Sequence, residues 1–142
     1  MTYIVEDILE AESKFAFGVR LLEPAIRDQL RELVFARYGG RSNRLWATAS
    51  DCASVQNAEA WRWIRNFVGS RSCILFFDPN DEVQMFHVPS GSTLDDLLGN
   101  TFGFVFYVTD ADATYLLSFN DHDFLVCCGS AREWLEKQDP NR

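Results

Sequence analysis

The sequence predicts an α+β protein in which helices pack around a central, mainly antiparallel sheet of about five to six strands. Two observations predict this class. Segments with the apolar spacing of helices fill much of the first half, and short apolar runs separated by turn residues fill the second. The 142 residues, 47% of them hydrophobic, suffice for one core, and no repeat or linker divides them. We therefore expect residues 1–142 to form a single domain.

Three helices are predicted in the first half of the chain. The segment 4–9 has apolar residues at helical spacing. A second helix begins at Pro24, which suits the first helical position, and ends at Gly39, which suits the position after a helix. A third follows Asn57, a residue type that caps helices, and ends at Gly69.

Five strands are predicted in the second half, as a hairpin followed by a meander. Ser92 or Thr93 is expected to cap a short helix between the two, and Ser130 to cap a final helix. Residues 41–56 are polar and favour neither helix nor strand, and residues 139–142 are expected to fray. The predicted strands are 72–77, 82–88, 102–109, 114–119 and 123–128.

The cysteines and the apolar runs bear on the compartment. No run approaches the roughly 20 apolar residues of a membrane span, and Met1–Glu12 lacks the basic start of a secretory signal. Cys52, Cys73, Cys127 and Cys128 form no C-x-x-C pair, and only two histidines are present, so neither a metal nor a cofactor is predicted. We expect reduced thiols that pack as small hydrophobic groups in a cytoplasmic protein.

Charge is distributed unevenly along the chain. The net charge is −8, but residues 1–75 hold 10 basic and 9 acidic residues, whereas residues 76–142 hold 3 basic and 12 acidic residues. No Lys or Arg lies between Arg71 and Arg132. Nucleic acids and anionic membranes need cationic surfaces, so they are poor partners for this half. A positively charged protein is a better candidate, because opposite electrostatic fields steer encounter.

The acidic residues of the second half fall mainly on three predicted turns. Alternate turns of a meander emerge at opposite ends of a sheet, so the sequence leaves open which of these acids meet. Trp63 lies off the apolar stripe of its helix, and it either covers a sheet edge or anchors a partner. The candidate partner-binding residues are Asp78, Asp81, Glu82, Asp110, Asp112, Asp121, Asp123 and Trp63.

Two other classes of function stay open at this point. The chain contains no phosphate-binding loop, nucleophile elbow or H-E-x-x-H motif. The cluster Asp121-His122-Asp123, with or without His87, suits a general base or a metal ligand of a small hydrolase or metal-dependent enzyme. The 12 Phe and 4 Tyr also suit a binding module with an aromatic pocket for a small ligand.

Two segments resemble motifs of a known family. Leu22-Glu23-Pro24 opens a helix that ends in Phe35-Ala36-Arg37-Tyr38-Gly39-Gly40, and Ser130-Ala131-Arg132-Glu133-Trp134-Leu135-Glu136 closes the chain. Both are similar to elements of the SMI1/KNR4-like proteins, or SUKH superfamily, which differ in having an uninterrupted Leu-Pro pair. The resemblance implies an α+β domain without catalytic residues. It further implies an immunity protein that neutralises a toxin, often a nuclease, or a regulator of cell-wall synthesis.

Overall fold

The computed structural model describes residues 1–39, 45 and 49–138. Within these ranges the strands are β1 (Arg20–Leu21), β2 (Cys52–Gln56), β3 (Cys73–Phe76), β4 (Phe86–Val88), β5 (Phe106–Thr109), β6 (Tyr115–Phe119) and β7 (Phe124–Gly129). The helices are α1 (Tyr3–Phe15), α2 (Pro24–Tyr38), α3 (Ile64–Val68), α4 (Gly91–Gly99) and α5 (Ser130–Gln138). A 3₁₀ turn, Ala60–Trp63, leads into α3. No helix in the described part of the chain is both long and apolar enough to cross a bilayer.

All seven strands join one antiparallel sheet, in the order β1-β4-β3-β5-β6-β7-β2. Apolar side chains fill both of its faces. On one face, α1, α3, α4 and α5 share a core with side chains such as Leu75, Val108 and Leu117. On the other, α2 packs Leu30 and Val34 against the sheet. A sheet covered on both faces explains why its central strands are apolar throughout.

The predicted α+β class, with helices around an antiparallel sheet, is confirmed. The sheet nevertheless has seven strands rather than about five to six, and the two strands outside the five predicted segments, β1 and β2, lie at its edges. β1 has only two residues, too few for a visible pattern. β2 falls within the segment 41–56, where its alternation amounts to only two apolar residues, Ala53 and Val55, beside exposed Ser54 and Gln56.

Several boundaries also differ from the predictions. Residues 102–105 lie outside β5, although their apolar alternation continues that of the strand. α4 begins at Gly91, because the Ser90 hydroxyl accepts a hydrogen bond from Thr93 N at 3.2 Å and takes the capping role assigned to Ser92 or Thr93. Residues 139–142, expected to fray, lie outside the described residues.

The expectation of four reduced cysteines is wrong. Cys52 on β2 and Cys128 on β7 form a disulfide. The sequence could not indicate this pairing because β2 itself was not predicted. Cys73 and Cys127 are buried outside the disulfide, and burial raises the pKa of the Cys73 thiol to about 12.

Candidate functional site

The antiparallel register assigns the three acidic turns to two ends of the sheet. Phe76 pairs with Tyr107, and Phe106 pairs with Phe119, so the end of β3, the start of β5 and the end of β6 coincide. The turns 77–85 and 120–123 therefore emerge together, at what we call the cavity end. The turn 110–114 emerges at the opposite end. The acids of the first and third turns are thus gathered, and those of the second are separated from them.

Two of the predicted surface acids are buried. The Asp78 carboxylate accepts a hydrogen bond from the Tyr107 hydroxyl at 2.6 Å, and Asp78 is only 5% exposed. Glu82 is 6% exposed and accepts hydrogen bonds from the Thr2 hydroxyl and, at 2.8 Å, from Gln84 N. Both carboxylates hold the β3–β4 connection against the core. The expectation that Asp78 and Glu82 face a partner is therefore wrong.

The acids of the turn 110–114 have a different role. Asp110 Oδ1 accepts hydrogen bonds from Asp112 N at 3.2 Å and from Thr114 N at 2.9 Å. This is the local bonding by which aspartates stabilise turns. Asp112 itself is exposed. Because these two acids lie at the end opposite the cavity end, they do not belong to the same surface as Asp81 or Asp121.

A cavity of about 920 Å³ opens at the cavity end. Three regions far apart in sequence supply its wall: the start of α1, the 3₁₀ turn before α3, and the connection from α4 to β5. Its polar positions include Asp81 and Asp121, one from each turn that emerges there. The aromatic residues that line it are Tyr3, Trp61, Phe102, Phe104, Phe106 and Phe119.

Two of these rings face solvent. Phe102 is 90% exposed and Tyr3 is 60% exposed. The segment that carries Phe102 is tied to α1, because Phe102 N donates a hydrogen bond to Asp7 Oδ2 at 2.7 Å and Asp7 is nearly buried. Gly103, with φ +96°, lets the backbone bend there. The backbone that carries this exposed phenyl ring is thus anchored to α1.

The rim of the cavity is negatively charged. Asp81, Asp121 and neighbouring Asp123 are exposed. Within the described residues, no Lys or Arg forms an ion pair with any of the three, and Asp121 lies 3.7 Å from His122 Nε2. The carboxylate of Asp95, unlike those three, is nearly buried and forms ion pairs with arginines of the helical half. Three exposed carboxylates therefore give the rim a negative charge.

The two tryptophans of the 3₁₀ turn before α3, Trp61 and Trp63, are both half-buried and both pack against the core. Of the two alternatives for Trp63, a covering role therefore agrees with its burial better than a fully exposed anchor, and its contact with a partner stays a prediction. Trp61 also lines the cavity, and the Arg62 guanidinium lies 5.4 Å from its ring centroid.

The candidate catalytic residues do not converge. His122 and Asp121 have side chains that are 63% and 71% exposed, on a turn that faces solvent. His87 lies on β4, whereas His122 lies on the turn that follows β6. β4 and β6 are three positions apart in the sheet, which is about 14 Å at the usual strand spacing. Burial, with help from Arg20, lowers the pKa of His87. The described residues contain no group of three or more His, Cys, Asp or Glu that could hold a metal.

Sequence reasoning missed the wall of the cavity. Tyr3, Phe102 and Phe104 were not singled out as binding residues, and the last two were assigned to a strand. One signal was present in the sequence, because Gly103 lies within the run of alternating phenylalanines. A glycine inside an apparent strand often marks a bulge or bend where regular pairing ends. Only the fold brings these rings beside Tyr3, about 100 residues earlier.

Comparisons with known proteins identify no relative. No family model, no curated protein and no solved structure matches this chain. The resemblance to the SMI1/KNR4-like family stays a prediction, and the function is argued from the site.

Proposed function

We propose that this chain is a non-catalytic binding domain that holds a positively charged protein partner at its cavity end. The observation that carries the proposal is the combination of Phe102, 90% exposed, with the carboxylates of Asp81 and Asp121 on the rim of one cavity. Exposed apolar groups bordered by charge are typical of interaction sites. Aromatic residues are also among the commonest anchors of binding energy in protein interfaces.

Electrostatics supports a basic partner. Asp81, Asp121 and Asp123 project from two neighbouring turns, and among the described residues none of the three forms an ion pair with a Lys or Arg. Carboxylates at such a rim attract a positively charged surface, increase the rate of encounter and repel acidic competitors. The same carboxylates repel phosphate groups, which argues against nucleic acid as the ligand.

The family resemblance adds a biological role to this proposal. An SMI1/KNR4-like protein would act as an immunity protein for a toxin, such as a basic nuclease, or as a regulator of cell-wall synthesis. Acidic side chains that mimic phosphate would occupy the substrate-binding surface of a nuclease. The cytoplasmic location expected from the missing signal and the cysteine spacing is not part of this proposal, because the Cys52–Cys128 disulfide favours an oxidising compartment.

We do not propose an enzymatic role for Asp121-His122-Asp123. A general base needs a fixed position and a converging partner. His122 lies on an exposed turn, and His87 lies on a strand three positions away. The aromatic cavity, in contrast, supports binding of a ligand or partner directly.

The test is co-purification of the tagged protein from its native cells, followed by affinity measurements with the purified partner. The informative variant is Phe102→Ala, which removes the exposed ring from the cavity rim. We expect it to weaken binding by about tenfold or more, the usual effect of losing an aromatic anchor. Phe15→Ala, which removes a 51% exposed ring that does not line the cavity, is the matched control.

A partner that binds both variants as tightly as the unmodified protein would place the interface elsewhere. A stoichiometric basic protein whose binding needs Phe102 supports the proposal, whereas an acidic partner contradicts it.

A further inference from the structure

We propose that the cavity is itself a binding site for a small organic cation with an apolar body, such as an aryl-alkyl ammonium compound. The inference does not rest on the protein partner proposed above. It rests on the size, the wall and the charge of the cavity. At about 920 Å³, the cavity lies in the range of small-molecule sites, roughly 300 to 1,000 Å³.

The wall is suited to an apolar body. Six aromatic residues line the cavity, together with aliphatic side chains that include Ile4 and Leu98. Binding of a phenyl or alkyl group against this wall removes apolar surface of both the ligand and the protein from water. The polar atoms lie mainly on the turns at the rim, where they can select the ligand without interrupting the apolar wall.

The charge of the lining selects a cation. Among the described residues that line the cavity there is no Lys, Arg or His, whereas Asp81 and Asp121 are both present. An anion placed there would meet two carboxylates, and the basic groups beside the lining, Arg62 at 5.4 Å from the Trp61 ring centroid and His122 at 3.7 Å from Asp121, do not themselves line the cavity. An ammonium group would gain from a carboxylate of the lining and from the electron-rich faces of nearby rings, which attract cations within about 6 Å.

The site is held in shape before any ligand arrives. Phe104 contacts Phe77 with ring centroids 5.3 Å apart, and Phe106 contacts Phe119 with centroids 6.4 Å apart. Asn120 Oδ1 accepts hydrogen bonds from His122 N at 2.9 Å and from Phe124 N at 3.1 Å, which holds the turn that carries Asp121. A preformed site loses little affinity to ordering of its own side chains.

The experiment is isothermal titration calorimetry with three probes that share one apolar body: 3-phenylpropyltrimethylammonium, 3-phenylpropanol and 3-phenylpropanesulfonate. We expect the cation to bind about tenfold more tightly than the alcohol, and the sulfonate to bind most weakly. A second readout is Trp61, the cavity tryptophan, so quenching of fluorescence by the cation should be reduced in Trp61→Phe but not in Trp63→Phe.

Two double variants distinguish the effect of the cavity carboxylates from the effect of the net charge of the protein. Asp81→Asn/Asp121→Asn should weaken binding of the cation and leave binding of the alcohol unchanged, which also shows that the cavity is intact. Asp112→Asn/Glu133→Gln changes the net charge equally at exposed positions that do not line the cavity, and it should leave both affinities unchanged.

Three results would overturn the inference: the alcohol binds as tightly as the cation, the two double variants weaken the cation equally, or none of the probes binds. None of these results bears on the protein partner, whose binding is tested by Phe102→Ala with the purified partner.

Discussion

At the scale of single residues, Asp78 and Asp81 differ in a way that their positions in the sequence do not predict. The two aspartates lie three positions apart on one turn, yet Asp78 is 5% exposed and bonded to Tyr107, whereas Asp81 is exposed on the cavity rim. Turn chemistry predicted that both would lie on the β3–β4 connection. The burial of Asp78 depends on Tyr107, which is 29 positions away in the chain, and no local pattern reports such a contact.

The cysteines allow a prediction at the same scale. Cys73 and Cys127 are both buried, and at about pH 8 the Cys73 thiol, with a pKa of about 12, is ionised to roughly one part in ten thousand. Cys52 and Cys128 are joined. We therefore expect a disulfide-exchange reagent to detect essentially no thiol in the native protein, two after denaturation and four after denaturation with reduction.

Four thiols in the denatured, unreduced protein would show that the disulfide is absent. Rapid labelling of the native protein would show that Cys73 or Cys127 is accessible. Either result contradicts the structure at these positions.

At the scale of elements, helices were the most predictable part of the fold. The start of α2 at Pro24 and its end before Gly39 agree with the predictions, because capping and helical spacing are local signals. Local signals did not predict the edge strands β1 and β2. They also assigned the segment 102–105 to a strand, although it lies outside β5. A short edge strand is defined by its neighbour, and an alternating apolar run reads as a strand whether it pairs or lines a cavity.

The packing of α4 against α3 gives a prediction for this scale. Gly91 N donates a hydrogen bond to Gly69 O at 2.8 Å, and a Cβ atom on Gly91 would lie 2.7 Å from the backbone oxygen of Arg65. We expect Gly91→Ala to lower the free energy of unfolding by about 1 to 3 kcal/mol, measured by urea denaturation, because the two backbones must separate.

The control is Gly99→Ala, at the other end of the same helix. A Cβ atom there would meet nothing closer than a Trp61 ring carbon at 3.8 Å, so the free energy of unfolding should stay unchanged or rise by up to about 1 kcal/mol, because alanine loses less backbone entropy than glycine on folding. Equal effects of the two substitutions would show that the close approach at Gly91 does not constrain the fold.

At the scale of the whole molecule, the charge asymmetry of the sequence was informative but incomplete. Residues 76–142 hold most of the excess acid, yet the fold buries Asp78, Glu82 and Asp95 and sends Asp110 and Asp112 to the opposite end. Only part of the predicted acidic surface remains, and it coincides with an aromatic cavity. The sequence predicted that the surface charge of this half is negative. Where that charge lies on the molecule depends on the register of the sheet.

The central claim is that the acidic cavity end captures a positively charged partner, and its most direct test is the association rate of the purified complex at increasing ionic strength. The account predicts that this rate falls by about tenfold or more between about 20 mM and about 500 mM NaCl. Asp81→Asn/Asp121→Asn should slow association and flatten this dependence more than Asp112→Asn/Glu133→Gln does. An association rate that is independent of salt, or equally slowed by the two double variants, would contradict it.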